Sequence, residues 1–290
     1  MAPPRLLSIA GSDSGGGAGV QADLKAFSRC GAHGMTAITA VTAQNTVAVC
    51  EVYPLPPAAI VEQVRAVARD IGIDAVKIGM LGSVETIRAV ERALDLIGEV
   101  PVVLDPVMVA ESGARLLDEE AVDALRTRLV PRAAVVTPNL SEARVLTGAG
   151  EEASGEELVR TVHALGPGAA VVTGGHFQTA TDLFFDGGEV ITMPGERYPD
   201  GAAHGSGCTH SAALAVHLAR GFSTEEAARR AKQVASEAVR NGLRDIGAGA
   251  GPVDVFGLGR PERPETMLWH NRRAASPVPG AAPRSTPGDA

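Results

Sequence analysis

Short β-prone runs alternate with longer segments of helical period along almost the whole chain, and nothing else in the sequence restricts the fold as much. The candidate strands are 5–10, 36–41, 75–78, 100–104, 133–137 and 169–173. Between them, 19–30, 57–70, 84–97, 118–129 and 154–165 place apolar residues three and four apart, the spacing of one helix face. Such alternation implies βαβ units, hence an α/β fold of three α/β/α layers around a mainly parallel central sheet. Two later runs, 182–185 and 190–193, flank Asp186-Gly187-Gly188 and read as a hairpin added to that sheet. Helices over 208–220 and 224–241 follow, and there is no internal repeat.

Composition limits the classes of function. With 34 Gly among 290 residues and 3% aromatic content, the core must be built from Ala, Val, Leu and Ile. An apolar fraction of 45% beside 21% charged residues excludes a chain disordered throughout. The net charge of −8 argues against a nucleic-acid or anionic-membrane partner. No apolar run approaches membrane-spanning length, and the stretch Leu6 to Ala10 is too short for a secretory signal. Cys30, Cys50 and Cys208 are far apart and in no metal-like spacing, so a reduced cytoplasmic protein is expected. The segment 271–290, rich in Pro, Ala and Gly, is expected to be a disordered tail after a single domain over 1–270.

Six of the runs stop in polar residues or glycine: AGSDSGGGAG, TAQNT, KIGM, LDPV, VVTPN and VVTGG. Loops are commonly polar, so any one of these alone says little. In open parallel sheets, however, ligands bind beyond the carboxyl ends of the strands, and six such ends would meet on one rim.

Two glycine-rich stretches could cradle phosphate. Gly11 to Gly19 contains Gly17-Ala18-Gly19-Val20-Gln21-Ala22, formally a dinucleotide fingerprint. The second strand ends in Thr42-Ala43-Gln44-Asn45, without the acid that would hold a ribose, and no Gly-Lys-Ser/Thr follows for a P-loop. The second stretch, His204-Gly205-Ser206-Gly207-Cys208-Thr209, opens an apolar helix. Main-chain amides of Gly205, Ser206, Gly207 and Cys208 at a helix start form an anion hole suited to a transferring phosphoryl group. A cysteine there should have a lowered pKa. The plainer alternative is a simple cap, with Ser206 capping and glycine making the turn.

Asp105 ends a buried-looking strand. Asn139 and Glu142 have the spacing of a capping box, and on spacing alone that reading is the better one. The sharper alternative is that Glu142 organises Mg²⁺ through water, since this ion keeps few protein carboxylates and is completed by phosphates and waters.

These segments together resemble the hydroxymethylpyrimidine/phosphomethylpyrimidine kinases of thiamine biosynthesis, a branch of the ribokinase-like superfamily. The likeness is co-linear from about Leu6 to about Val255 and rests on IAGSDSGGGAGVQADLKAF, ITAVTAQNT, KIGMLGS, VVLDPVM, ESGARLL, TPNLSEA, TGGH and AHGSGCTHSAALA. It implies transfer of the ATP γ-phosphoryl group to an aminopyrimidine alcohol and then to the monophosphate, with Mg²⁺. It further implies that Gln44 hydrogen-bonds the aminopyrimidine, that Asp23 lies beside the substrate pocket, and that Gly11 and Met80 line it. Asp105, Asn139, Glu142 and Thr173 should face the nucleotide phosphates and Mg²⁺. Cys208 stands where sugar-kinase relatives place an aspartate base, either as base or as part of the anion hole. Without the resemblance, Asp23 reads as an early-turn helix acid and Met80 as core filler. Related kinases are often homodimers.

The chain departs from the pattern at Thr173, where many members carry Lys, at Ala114 for the usual Asp, and at Ala202-Ala203 for the usual Asn-Thr. His176 and His204 fall in matching motifs and read as turn-stabilising; neither is given a catalytic role. The rivals are a pyridoxal-type kinase on the same fold, a non-catalytic pyrimidine-binding descendant, and, last, a dinucleotide oxidoreductase.

Overall fold

The computed structural model describes residues 2–174, 180–198 and 202–259. The segment expected as a tail, the end of the expected domain and His176 all lie outside the described residues. The strands are β1 (Arg5–Asp13), β2 (His33–Gln44), β3 (Val49–Pro54), β4 (Ala75–Ile78), β5 (Val102–Leu104), β6 (Val135–Val136), β7 (Ala169–Val172), β8 (Asp182–Phe185) and β9 (Ile191–Met193). They form one sheet in the order β3-β2-β1-β4-β5-β6-β7-β8-β9. From β2 to β7 every pairing is parallel. β3 lies antiparallel on β2, and β8 and β9 continue the other edge as an antiparallel hairpin, as expected.

The helices are α1 (Gly19–Arg29), α2 (Pro57–Asp70), α3 (Val84–Leu94), α4 (Glu119–Ala124), α5 (Leu140–Thr147), α6 (Gly155–Ala164), α7 (Ser206–Ala219) and α8 (Thr224–Arg240). Side chains alternate across a strand, so the buried strands feed two cores. Leu7, Ile9, Ile78 and Leu104 pack with Ile60 of α2, Ile87 and Val90 of α3, and Leu158 of α6. Their neighbours Leu6, Ala75, Val103 and Val171 pack instead against Phe27 of α1, Leu214 of α7 and Ala227 of α8. The three-layer arrangement follows directly from this two-residue period.

Some boundaries differ from the periodicity. The edge strand β3 was not anticipated because most of its residues are exposed, leaving no apolar alternation to read. It ends at Pro54, which an edge tolerates because one side needs no donor. β5 starts only after Pro101, which has no N–H for the ladder. The segment expected to be helical over 118–129 is α-helical only for Glu119–Ala124, widens into a π-turn over Leu125–Leu129 and tightens over Val130–Arg132. Conversely, β1 and β2 run on to Asp13 and Gln44, past the last pairing of β1 with β4 at Ile9–Ile78. They form a wall above the rim of the sheet.

Phe27 is fully buried and is among the largest side chains in the α1–α7–α8 core. Phe27→Ala is expected to lower unfolding stability by about 3–5 kcal/mol through lost burial and a cavity. Urea denaturation should show the midpoint falling with an unchanged m-value; a loss under about 1 kcal/mol would mean the core collapses around the gap.

Candidate active site

A cavity of about 620 Å³ lies over the carboxyl ends of the parallel strands and the start of α7. Its lining includes Gly11 and Gln44 from the β1–β2 wall, Asp105 and Glu142 midway, and Thr173 at the end of β7. Between β2 and β7 are five strand spacings, roughly 24 Å at about 4.8 Å each, room for a nucleotide and a small second molecule end to end.

The first glycine-rich stretch is not a phosphate cradle. The Asp13 carboxylate accepts hydrogen bonds from the N–H groups of Gly15 (2.8 Å), Gly17 (3.0 Å) and Ala18 (2.8 Å). Those amides are committed internally, which disposes of the dinucleotide fingerprint. Asp13 Oδ2 also lies 3.2 Å from Nε2 of His204, the residue before the second stretch. Burial pushes the Asp13 carboxyl up, but bonds from His204, Ala18 and Gly15 outweigh it and hold the group below its ordinary range. His204 is thus turn-stabilising, as expected, but acts across the two loops.

Gly205 caps α7 in the left-handed region at φ 86°, and a Cβ there would collide with the carbonyl of Gly17. No side chain caps this helix, so the plainer alternative of a Ser206 cap is excluded: Ser206 is the first helical residue, its N–H bonded to Ala203 O. First-turn amides lack intrahelical partners, and those of Gly207 and Cys208 lie in residues that line the cavity.

Two expectations need correction. Asp23 does not line the cavity: it is fully buried beneath it, accepting from Ser8 Oγ (2.6 Å) and from Lys77 Nζ at 2.9 and 3.1 Å. The physical reason is Lys77, a fully buried ammonium at the penultimate position of β4 that requires a counter-ion. Burial pulls Lys77 down, but Asp23, Cys208 and Asp105 together hold it above its ordinary range. The second correction concerns Cys208, whose thiol burial pushes up to about 12, with Lys77 opposing and Asp23 and Asp105 adding to the rise. The helix start was expected to lower it; desolvation and two acids win.

Asp105 is buried at the end of β5, 3.9 Å from Lys77 Nζ, and accepts from Ser211 Oγ (2.9 Å). Glu142 and Asn139 form the capping box of α5, each side chain accepting the other's backbone N–H at 2.9 Å. Glu142 Oε1 also accepts from Met108 N–H (3.3 Å). The capping-box reading holds, and the capped Glu142 also lines the cavity. Burial first, then Asp105, push the Glu142 carboxyl to about 8, and burial raises Asp105 as well. Two half-compensated carboxyls in one cavity are hard oxygen donors suited to a divalent cation. Among the described residues no cluster of three metal-ligating side chains occurs.

Gly11 sits where a Cβ would come within 2.9 Å of Met80 Cε, so the missing side chain lets the thioether lie against β1. Gln44 Oε1 accepts from Thr42 Oγ1 (3.2 Å), which steadies the amide at the end of β2. At the far end, Asp182 of β8 pairs with Lys232 of α8 at 2.9 Å and accepts the Gly174 N–H (2.8 Å). Sequence reasoning passed over Asp13, Lys77, Asp182 and Lys232. Only Lys77 had a visible signal, a lysine inside the otherwise apolar run Ala75–Ile78.

Comparison with known proteins agrees with this geometry. The family model for phosphomethylpyrimidine kinase matches residues 13–254. A hydroxymethylpyrimidine/phosphomethylpyrimidine kinase of Rhizobium meliloti is 48% identical over 86% of this chain and 96% of its own length. The phosphomethylpyrimidine kinase of Clostridium difficile superposes with a TM-score of 0.72 at 38% identity, covering 81% of this chain and 99% of that one. A Bacillus subtilis pyridoxal kinase solved with ADP gives a TM-score of 0.81 at 36% identity, covering 89% and 99%. Sheet order, rim and glycine-opened helix therefore define a small-molecule kinase of ribokinase-like fold. Within that class, the chain belongs to the phosphomethylpyrimidine kinase family.

The Glu142 carboxyl stands near 8 in the folded protein against an ordinary 4.5. The folded state therefore holds a proton that the unfolded chain releases, so stability from this group is complete below about 4.5 and is lost as pH rises through about 8. In chelator, Glu142→Gln should gain stability relative to the parent protein between about pH 5.5 and about pH 8.5, by at most about 1.4 kcal/mol per pH unit. A difference in urea midpoint that does not change with pH would contradict it.

Proposed function

We propose that this chain uses ATP and Mg²⁺ to phosphorylate 4-amino-5-hydroxymethyl-2-methylpyrimidine and then its monophosphate, as a cytoplasmic enzyme of thiamine biosynthesis and, by resemblance, a homodimer. The observation that carries this reading is the uncapped start of α7, facing the middle of a cavity with an amide-bearing slot at one end and the Asp182–Lys232 pair at the other.

Gln44 can accept from and donate to an aminopyrimidine edge at once, which a carboxylate or ammonium cannot. Gly11 and Met80 form the flat side of its slot. The amides of Gly205, Gly207 and Cys208 take the terminal phosphoryl oxygens, where charge is held through a loose transition state, while the Ser206 N–H stays bonded to Ala203 O and shapes the turn. Asn139, Thr173 and Asp105 line the path of the polyphosphate. Glu142 through water, with Asp105, would hold Mg²⁺, which neutralises charge on the bridging phosphate oxygens. The residues thereby supply positioning and electrostatics, the main needs of this chemistry.

Cys208 enters as a neutral thiol, because a base would need the thiolate that burial disfavours. Its part is to line the anion hole and donate weakly to a phosphoryl oxygen. In the second step the acceptor is a phosphate monoester whose oxygen is already anionic, so no base is required there.

Coupled ADP release with each acceptor tests the reading: the aminopyrimidine alcohol should support turnover, and pyridoxal should not match it. Pyridoxal as the better acceptor would favour the rival, and no ADP release with either acceptor would favour a non-catalytic descendant. Cys208→Ala should lower kcat about a hundredfold or more, the scale of losing a transition-state contact; near-normal turnover would remove its assignment. Gln44→Ala should raise KM for the pyrimidine and leave that for ATP alone, and equal damage to both would count against the slot.

A further inference from the structure

His210 lies one turn into α7 from the anion hole and is 4% exposed. Among the described residues, neither its Nδ1 nor its Nε2 has a hydrogen-bond partner, although the residue lines the cavity. An imidazole buried with both nitrogens unpaired is costly, and buried polar groups are otherwise nearly always satisfied. Its nearest acidic neighbour, Asp182 Oδ2, is 4.0 Å from Nε2, beyond hydrogen-bonding distance. Asp182 is occupied by Lys232 and Gly174, and Lys232 also donates to Ala180 O (2.7 Å). Among the described residues no side chain or backbone group satisfies His210.

Helix side chains lean toward the N-terminus of their helix, so the ring at 210 tilts back over the turn that carries Ser206 and Gly207. That places it on the flank of the anion hole nearest Thr173, Asp182 and Lys232, the end assigned above to the nucleotide. We propose that His210 contacts a phosphate oxygen of the bound nucleotide, a specificity-determining contact, and takes up a proton from the medium as the nucleotide binds. The inference rests on the reading of this site as a nucleotide site.

The charged groups facing the ring are Asp182 from β8 and Lys232 from α8. Burial, with Asp182 opposing and Lys232 assisting, holds His210 below its ordinary range, so it is neutral near pH 7 in the empty protein. A polyanion arriving within hydrogen-bond distance favours the imidazolium, which turns an unpaired ring into a charge-assisted donor. One proton is bound at the ring nitrogen and no other bond changes.

The test is calorimetric titration of the full chain with ADP at pH 7, without Mg²⁺, in two buffers of different ionisation enthalpy. The parent protein should take up a substantial fraction of a proton per ADP bound. His210→Leu should lose that uptake and bind ADP roughly tenfold more weakly. His210→Gln, which can donate but cannot take the proton, should lose the uptake while keeping part of the affinity. Both variants should melt, without nucleotide, no lower than the parent, since an unpaired polar group has been removed or replaced. Parent and variants with equal proton counts and equal affinities would overturn the role of His210 while leaving the nucleotide site standing. A parent protein that binds no ADP would overturn both.

Discussion

The carboxylate of Asp13 is the constraint on which the site depends. It gathers three consecutive-loop amides and reaches His204, so one anionic group joins the loop before α1 to the loop before α7. The two helix starts then come so close that glycine is required at 205. Because the surrounding bonds keep Asp13 ionised, the clasp does not loosen at the pH values where the other acids change charge. The start of α7 is consequently positioned through His204 by a residue 191 positions earlier in the chain.

Below that clasp lies a second balance of charge. Lys77 neutralises Asp23, and Asp105 is left only a distant share of the same ammonium. Glu142 adds another carboxyl, and Cys208 stays protonated. The cluster thus carries more acid than base, and the raised carboxyl pKa values express burial first and that imbalance second. A bound dication relieves it, whereas a bare polyphosphate would aggravate it.

How much of this could be read in the sequence follows from the range of each interaction. The layers, the hairpin and the rim were legible because they depend on residue periods of two and 3.6. The start of α7 was legible because its glycines lie side by side in the chain, as was the capping box at Asn139 and Glu142. Asp23 was misplaced because its role is set by Lys77, 54 positions later, which no local pattern announces. Cys208 was misjudged for the same reason: the helix start is local, but besides burial the acids that override it come from α1 and the end of β5. β3 escaped notice because an exposed edge strand leaves no apolar alternation.

One glycine loop has amides filled by Asp13, whereas at the start of α7 the Ser206 N–H is taken by Ala203 O and no side chain caps the helix. A molecule with two open loops could seat an anion at either end and would have to select orientation by side chains alone. On the proposed reading the backbone itself imposes direction: a polyphosphate would have a single berth, and the polarity of the transfer would be written into the main chain before any side chain takes part.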